Sequence, residues 1–217
     1  MEITWYGLSC FRLTDRGKST VVTDPYDHET VGYSPLKLRA DIVSISHEAP
    51  GHSYLKGVKG AKHIIDGPGE FEIGEVFITA VRTKAKKKSK SGTGEAQQNT
   101  LFVFDYDSVT VAHLGDLKST PSQSEIDALG TVNVVLVPVG GGGALNAAKA
   151  SEVISMLEPG YVIPMHYKDA PVRLKLDPLS KFLNEMGLGS VSPEPSLKVT
   201  ASSVPEDTKV VVLQASA

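Results

Sequence analysis

Ile42-Val43-Ser44-Ile45-Ser46-His47-Glu48-Ala49-Pro50-Gly51-His52 is a short apolar run ending in a histidine, followed by a loop with proline and glycine that ends in another. Three further runs end in the same manner. Val21-Val22-Thr23 delivers Asp24, Val109-Thr110-Val111-Ala112 delivers His113, and Val162-Ile163-Pro164-Met165 delivers His166. A continuous apolar strand is covered on both faces, and in sheets of that kind ligands gather where the strands end and loops begin. His52 and Asp116 fall in two of those loops. One such histidine alone reads as a satisfied polar residue. Four metal-competent strand ends together read as a metal site, because neutral imidazoles with a carboxylate are the donors that zinc and neighbouring first-row metals prefer. His28 and His63 lack comparable settings and carry no such reading.

Working outward, the first half reads as short strands parted by turns: Ile3 to Leu13, the Asp15-Arg16-Gly17 turn, Thr20 to Thr23, then Asp41 to Ser46, His63 to Ile65, Glu70 to Ile73 and Val76 to Val81. No helix is expected before residue 120. Leu101 to Phe104 and Val109 to Ala112 form a hairpin across Asp105-Tyr106-Asp107. Beyond it helices and strands alternate. Thr120-Pro121-Ser122-Gln123 offers an N-cap, a proline at the first helical position and a glutamine at the third, for a helix through Leu129. Val132 to Val139 is an apolar strand, Ala144 to Leu157 has helical spacing, Tyr161 to Met165 returns as strand, Asp177-Pro178 starts a helix that Gly187 ends, and Lys209 to Leu213 closes as strand.

At 217 residues the chain suits one domain, 1–217. A net charge of −3 builds no field that would hold a polyanion, so neither nucleic acid nor an anionic membrane is an expected partner. The lysines of 84–90 have no aromatic residue among them to stack on bases, and with the Ser91-Gly92-Thr93-Gly94 and Gln97-Gln98-Asn99 that follow they read as a loop unable to pack a core. The lone Cys10, in the apolar stretch Leu8-Ser9-Cys10-Phe11, reads as a packed thiol and permits no intrachain disulfide. With no basic-then-apolar leader and no run of about 18 apolar residues, a reducing cytoplasmic setting is expected. Oligomeric state leaves no mark in the sequence.

At the histidines a family resemblance becomes specific. Ser46-His47-Glu48-Ala49-Pro50-Gly51-His52 resembles the metallo-β-lactamase motif His-X-His-X-Asp-His, and His113-Leu114-Gly115-Asp116 and Pro164-Met165-His166-Tyr167 resemble that superfamily's later metal-binding segments. Ile3 to Phe11, Thr23-Asp24-Pro25, Gly67-Pro68-Gly69-Glu70 and Val139-Gly140-Gly141-Gly142 are similar to the branch that contains the ascorbate-6-phosphate lactonases. The resemblance implies an α/β fold, a four-layer αββα sandwich with metals at the edge between its sheets. It implies His47 and His113 for one ion, His52 and His166 for another, and Asp116 between them. Ala49 and Gly51 stand where the motif has a histidine and its aspartate, and Leu8 where related sequences often carry histidine, so one ion is expected before two. Zinc is the first expectation, with manganese, iron or nickel also compatible.

The function so implied is hydrolysis of a small anionic ester, lactone or phosphoester by metal-activated water, with Asp116 orienting or deprotonating that water. Asp24 is read as a ligand, as an outer acceptor that orients an imidazole, or equally as part of an Asp-Pro turn. Gly141 and Gly142, in the run Gly140-Gly141-Gly142-Gly143 before a helix, together with Asn146 and Tyr167, are candidate substrate contacts. The competing expectation is a catalytically silent member of the fold, kept as a binding or structural module.

Overall fold

The computed structural model describes residues 1–83 and 98–216, so the lysine run 84–90 and most of the polar stretch after it lie outside the described residues. Fifteen strands are assigned among them. In chain order they are β1 (Glu2–Gly7), β2 (Cys10–Thr14), β3 (Val21–Thr23), β4 (Leu38–Arg39), β5 (Ile42–Ser44), β6 (Val58–Lys59), β7 (His63–Ile65) and β8 (Gly69–Ile73). The second half adds β9 (Val76–Arg82), β10 (Thr100–Asp105), β11 (Thr110–His113), β12 (Val134–Pro138), β13 (Tyr161–Met165), β14 (Leu197–Lys198) and β15 (Lys209–Val210). The helices are α1 (His28–Val31), α2 (Gln123–Asp127), α3 (Ala147–Leu157) and α4 (Leu179–Glu185).

Two mixed sheets carry the fold, ordered β14-β1-β2-β3-β5-β7 and β15-β13-β12-β11-β10-β9-β8, with β4 and β6 pairing apart from both. The period of two along each strand explains how the first sheet serves two cores. Ile3, Trp5, Phe11, Val21 and Ile42 face the second sheet and join Phe102, Phe104, Val111, Val135 and Ile163 in one apolar cluster. Their neighbours Cys10, Val22 and Val43 face the other way, packing with Tyr26, Val31 and Tyr33. On the second sheet's outer side, Val153 and Ile154 of α3 and Phe182 of α4 extend the main core. The α/β layering implied by the sequence is present, but its outer layer over the first sheet is thin, with the one-turn α1 contributing Val31.

Several boundaries differ from expectation. The strand expected from Ile3 to Leu13 is a tight hairpin, β1 pairing with β2 around Leu8-Ser9. Leu8 is apolar and reads as strand, yet it sits at φ 44 beside Gly7 at φ 110. A side chain at Gly7 would collide with the Tyr33 ring at 2.6 Å. A helix does precede residue 120, since Asp27 caps α1 by accepting from the Glu29 N–H. The start of α2 shifts from Thr120 to Ser122, because the Glu125 carboxylate accepts from both the backbone N–H and the hydroxyl of Ser122. Helix α3 begins after Asn146 rather than at Ala144, as the Asn146 side chain accepts from the Lys149 N–H. Strand β14 was not anticipated; it pairs antiparallel with β1 at the sheet edge.

What positions the site is the parallel part of each sheet. Strands β3, β5 and β7 run parallel in the first, and β11, β12, β13 and β15 in the second. Their carboxyl ends meet across the sandwich, where the His166 N–H donates to the Leu8 carbonyl at 3.1 Å and the Thr100 N–H to the Ser46 carbonyl at 2.8 Å.

Candidate metal centre

Asp24 follows β3, Ser46 and His47 follow β5, and His52 ends the loop after them. Asp24 is fully buried, and its carboxylate accepts from the Ser46 N–H at 2.7 Å, the Ser46 hydroxyl at 2.6 Å and His52 Nδ1 at 2.8 Å. The same Ser46 hydroxyl lies 3.1 Å from His47 Nδ1. These bonds put the protons of both imidazoles on Nδ1 and leave both Nε2 lone pairs facing the site. Of the three readings open to Asp24 in the sequence, the geometry fits the outer acceptor that orients an imidazole.

Asp116 stands between the histidines of the two halves. Its Oδ2 lies 4.0 Å from His47 Nε2, and its Oδ1 lies 4.0 Å from His166 Nε2. The ligand atoms of His52, Asp116 and His166 fall within 4.8 Å of one another, and the His47 and His52 rings pack at 4.2 Å. Asp116 itself is held from behind, its N–H donating to Asn99 Oδ1 at 2.8 Å while Asn99 Nδ2 donates to the Leu114 carbonyl.

Burial lowers the pKa of all four histidines. His47 falls to about 4, by burial and then the neighbouring His52; His52 falls to about 3, by burial and then His166. All are therefore neutral near pH 7, as ligands must be. Asp24 is raised by burial, against the pull of His113 and the Ser46 hydrogen bonds. Backbone strain gathers here too: Leu8, Asp24 and His166 have φ of 44, 38 and 53, whereas the other non-glycine residues at positive φ, Glu75, Asp107 and Glu158, lie away from these histidines at turns and a helix end.

His113, expected as a ligand beside His47, is spent elsewhere. Its Nε2 donates to the Ser9 carbonyl at 2.9 Å, and its one lone pair, on Nδ1, accepts from the Gly115 N–H at 3.3 Å rather than facing the site. Part of the glycine run is likewise committed. The N–H groups of Gly140, Gly141, Ala144 and Leu145 all bond to backbone carbonyls, and Gly141 to Gly143 adopt the left-handed conformation that glycine favours. The Asp177 carboxylate lies 3.5 Å from where a Gly141 side chain would stand, which disfavours an anion there. Asn146 is the α3 cap, and Tyr167 is buried with its ring 5.3 Å from Trp5. Glu48 is exposed, so it does not replace the carboxylate lost at Gly51.

Sequence reasoning missed Ser46, Asn99 and the Leu8-Ser9 carbonyls. Asn99 had been grouped with a polar stretch that cannot pack, yet it is 4% exposed. No local signal marks these residues, because their partners come from other segments. Cys10 is buried, as expected of a packed thiol, and burial raises its pKa well above the ordinary value.

The donors fit one divalent ion. Two metal–ligand bonds of about 2.0–2.2 Å at a tetrahedral angle span roughly 3.3–3.6 Å, so His166 Nε2 and Asp116 Oδ1, 4.0 Å apart, need close by only a few tenths of an ångström to share an ion. Asp116 Oδ1 is also buried without a hydrogen-bond partner, a costly state for a carboxylate oxygen that a cation would relieve. On the His52 side this gives three donors, His52, His166 and Asp116 Oδ1. On the His47 side, among the described residues, His47 and Asp116 Oδ2 remain.

A family model described as a β-lactamase superfamily domain matches residues 2–166. A UPF0173 protein of Pyrococcus furiosus is 28% identical over 193 residues, covering 77% of this chain and 83% of the relative. A UPF0173 metal-dependent hydrolase of Thermoplasma acidophilum is 26% identical with the same coverage. Among solved structures, a protein of Thermotoga maritima, provisionally described as a Zn-dependent hydrolase of the metallo-β-lactamase superfamily, is 32% identical. It matches with a TM-score of 0.76 over 98% of this chain and 97% of that one. A metallo hydrolase of Ignicoccus hospitalis, 20% identical with a TM-score of 0.64 over 92% and 99% of the two chains, shares the fold. By matched residues, fold and the histidine–aspartate edge between its sheets, this chain belongs to the metallo-β-lactamase superfamily.

Proposed function

We propose that the chain is a metal-dependent hydrolase working with one divalent ion, held by His52, His166 and Asp116, on a small anionic ester, lactone or phosphoester. The observation that carries the reading is the convergence of those three donors around a buried Asp116 oxygen that lacks a hydrogen-bond partner. Zinc suits the donor set first, and manganese, iron or nickel remain compatible with it. A bound divalent ion lowers the pKa of its water from about 15.7 toward about 7 and polarises a scissile oxygen.

The chain's own residues do the rest. Asp24 holds the His52 ring so that Nε2 faces inward, and Ser46 does the same for His47. Asp116 Oδ2, on the far side of the carboxylate from His166, is placed to accept a proton from an attacking water. His47 Nε2, 4.0 Å from that oxygen and neutral at pH 7, is the next acceptor within reach. His113 and Tyr167 are buried behind the site, whereas the Asp116 side chain is 14% exposed.

The second reading, a silent module, draws on the His47 side, where Ala49, Gly51 and the internally bonded His113 leave two protein donors. Metal analysis of protein purified without chelator, followed by hydrolysis assays on zinc-loaded protein with a panel of lactones, carboxylic esters and phosphoesters, separates the two. One zinc per chain and turnover lost in His166→Ala are expected. Stoichiometric zinc with no turnover above the His166→Ala background would favour the silent module.

A further inference from the structure

The two halves of the centre are unequal, and the weaker one contains a cation of its own. Lys118 Nζ lies 4.0 Å from Asp116 Oδ2, the same oxygen that faces His47, whereas Oδ1 faces His166. The lysine does not drift there by chance of a long loop. Leu117 before it is buried, and its carbonyl accepts the Leu145 N–H at 2.7 Å, while Asp116 is pinned through Asn99. The Lys118 side chain is 44% exposed and the Asp116 side chain 14%, so the ammonium reaches in from solvent over the rim of the site.

A zinc ion needs about three protein donors, and the His47 side offers two. A second dication there would face one shared carboxylate and little else to offset its charge. An ammonium asks for less: it needs no fixed set of donors, and one Asp116 oxygen lies beside it here. We infer that Lys118 is a fixed cation in the place of a second metal ion, balancing Asp116 Oδ2 on the His47 side and confining metal to the His52–His166 side. The inference rests on the proposed one-metal reading and adds to it the residue that makes the site single. It also places a positive charge where an anionic substrate would meet the metal.

The test is zinc titration by calorimetry, with stoichiometry checked by elemental analysis, on the unmodified chain and its Lys118→Gln and Lys118→Arg variants. Lys118 is at the rim, so neither change removes core packing. Removing a positive charge beside Asp116 is expected to tighten zinc binding on the order of tenfold, an effect moderated by solvent at this rim, and Lys118→Arg is expected to bind as the unmodified chain does. In zinc-loaded protein, inorganic phosphate is expected to bind about tenfold more weakly to Lys118→Gln. One zinc in the unmodified chain with unchanged affinity and stoichiometry in Lys118→Gln would overturn the inference and leave the metal reading standing. No zinc in the unmodified chain but zinc in Lys118→Gln would overturn both, since the inference assigns metal to the His52–His166 side of the unmodified chain. No zinc in either would overturn both.

Discussion

At Asp24 one carboxylate orders two imidazoles, His52 directly at 2.8 Å and His47 through the Ser46 hydroxyl. Removing such an orienting partner costs about 10–100-fold in metal affinity, so Asp24→Asn is expected to weaken zinc binding by that factor in a calorimetric titration, with the ligands themselves untouched. His113 and His166 should part company in the opposite way. His113→Ala leaves the Ser9 carbonyl and the Gly115 N–H without their buried partner and is expected to cost about 1–3 kcal/mol in urea denaturation of the metal-free protein. His166→Ala is expected to abolish zinc binding; tight zinc binding by that variant would remove His166 from the ligand set.

The same buried imidazoles make stability depend on acid. His47 and His52 titrate near about 4 and about 3 in the folded chain, against an ordinary value of 6.5. Below about 6.5 the unfolded chain takes up these protons and the folded chain does not, so their contribution is complete above about 6.5 and is lost as the pH falls toward about 4. The slope is about 1.4 kcal/mol per pH unit for each histidine. Denaturation midpoints of metal-free protein between pH 7 and pH 4 measure it, and a flat profile would contradict the burial described for these rings.

At the scale of elements, helix ends and turns set the site's frame. Helix α3 ends on Glu158, an exposed residue held at φ 45 where glycine is at ease. Glu158→Gly is therefore expected to stabilise the chain by about 0.5–1 kcal/mol, read as a higher denaturation midpoint with zinc affinity unchanged. The Leu8-Ser9 turn is the reverse case, strained but tied down. Its carbonyls accept from Trp5 Nε1, His166 N–H, His113 Nε2 and Thr23 Oγ1, so a short hairpin of the first sheet sets the histidines of the second.

Across the whole molecule, the sandwich core and the metal edge are one packed unit. Phe102 on β10 is fully buried, pairs in register with His113 on β11 and packs 5.9 Å from Phe104. Phe102→Ala is expected to cost about 3–5 kcal/mol of stability. Because any ligand that binds only the folded chain adds stability by mass action, saturating zinc should recover part of that loss. Thermal melts of the variant with and without zinc check both effects.

The sequence by itself determined which residues make up the candidate centre's strand ends. Apolar runs of strand length ending in Asp24, His47, His113 and His166 could be seen without coordinates, because strand formation and burial follow local composition and period. The losses at Ala49 and Gly51 were equally visible, being matters of residue identity. What only the tertiary structure decided is which lone pairs are free. His113 looks like the other histidines in sequence, but a carbonyl 104 residues away, at Ser9, takes its Nε2. Asn99 and Ser46 support the site, and Lys118 reaches its weaker half, through contacts between segments that no periodicity records. The physical reason is that a buried polar group is assigned its role by the partner opposite it, and partners across a sandwich are set by the packing of two sheets rather than by neighbours along the chain.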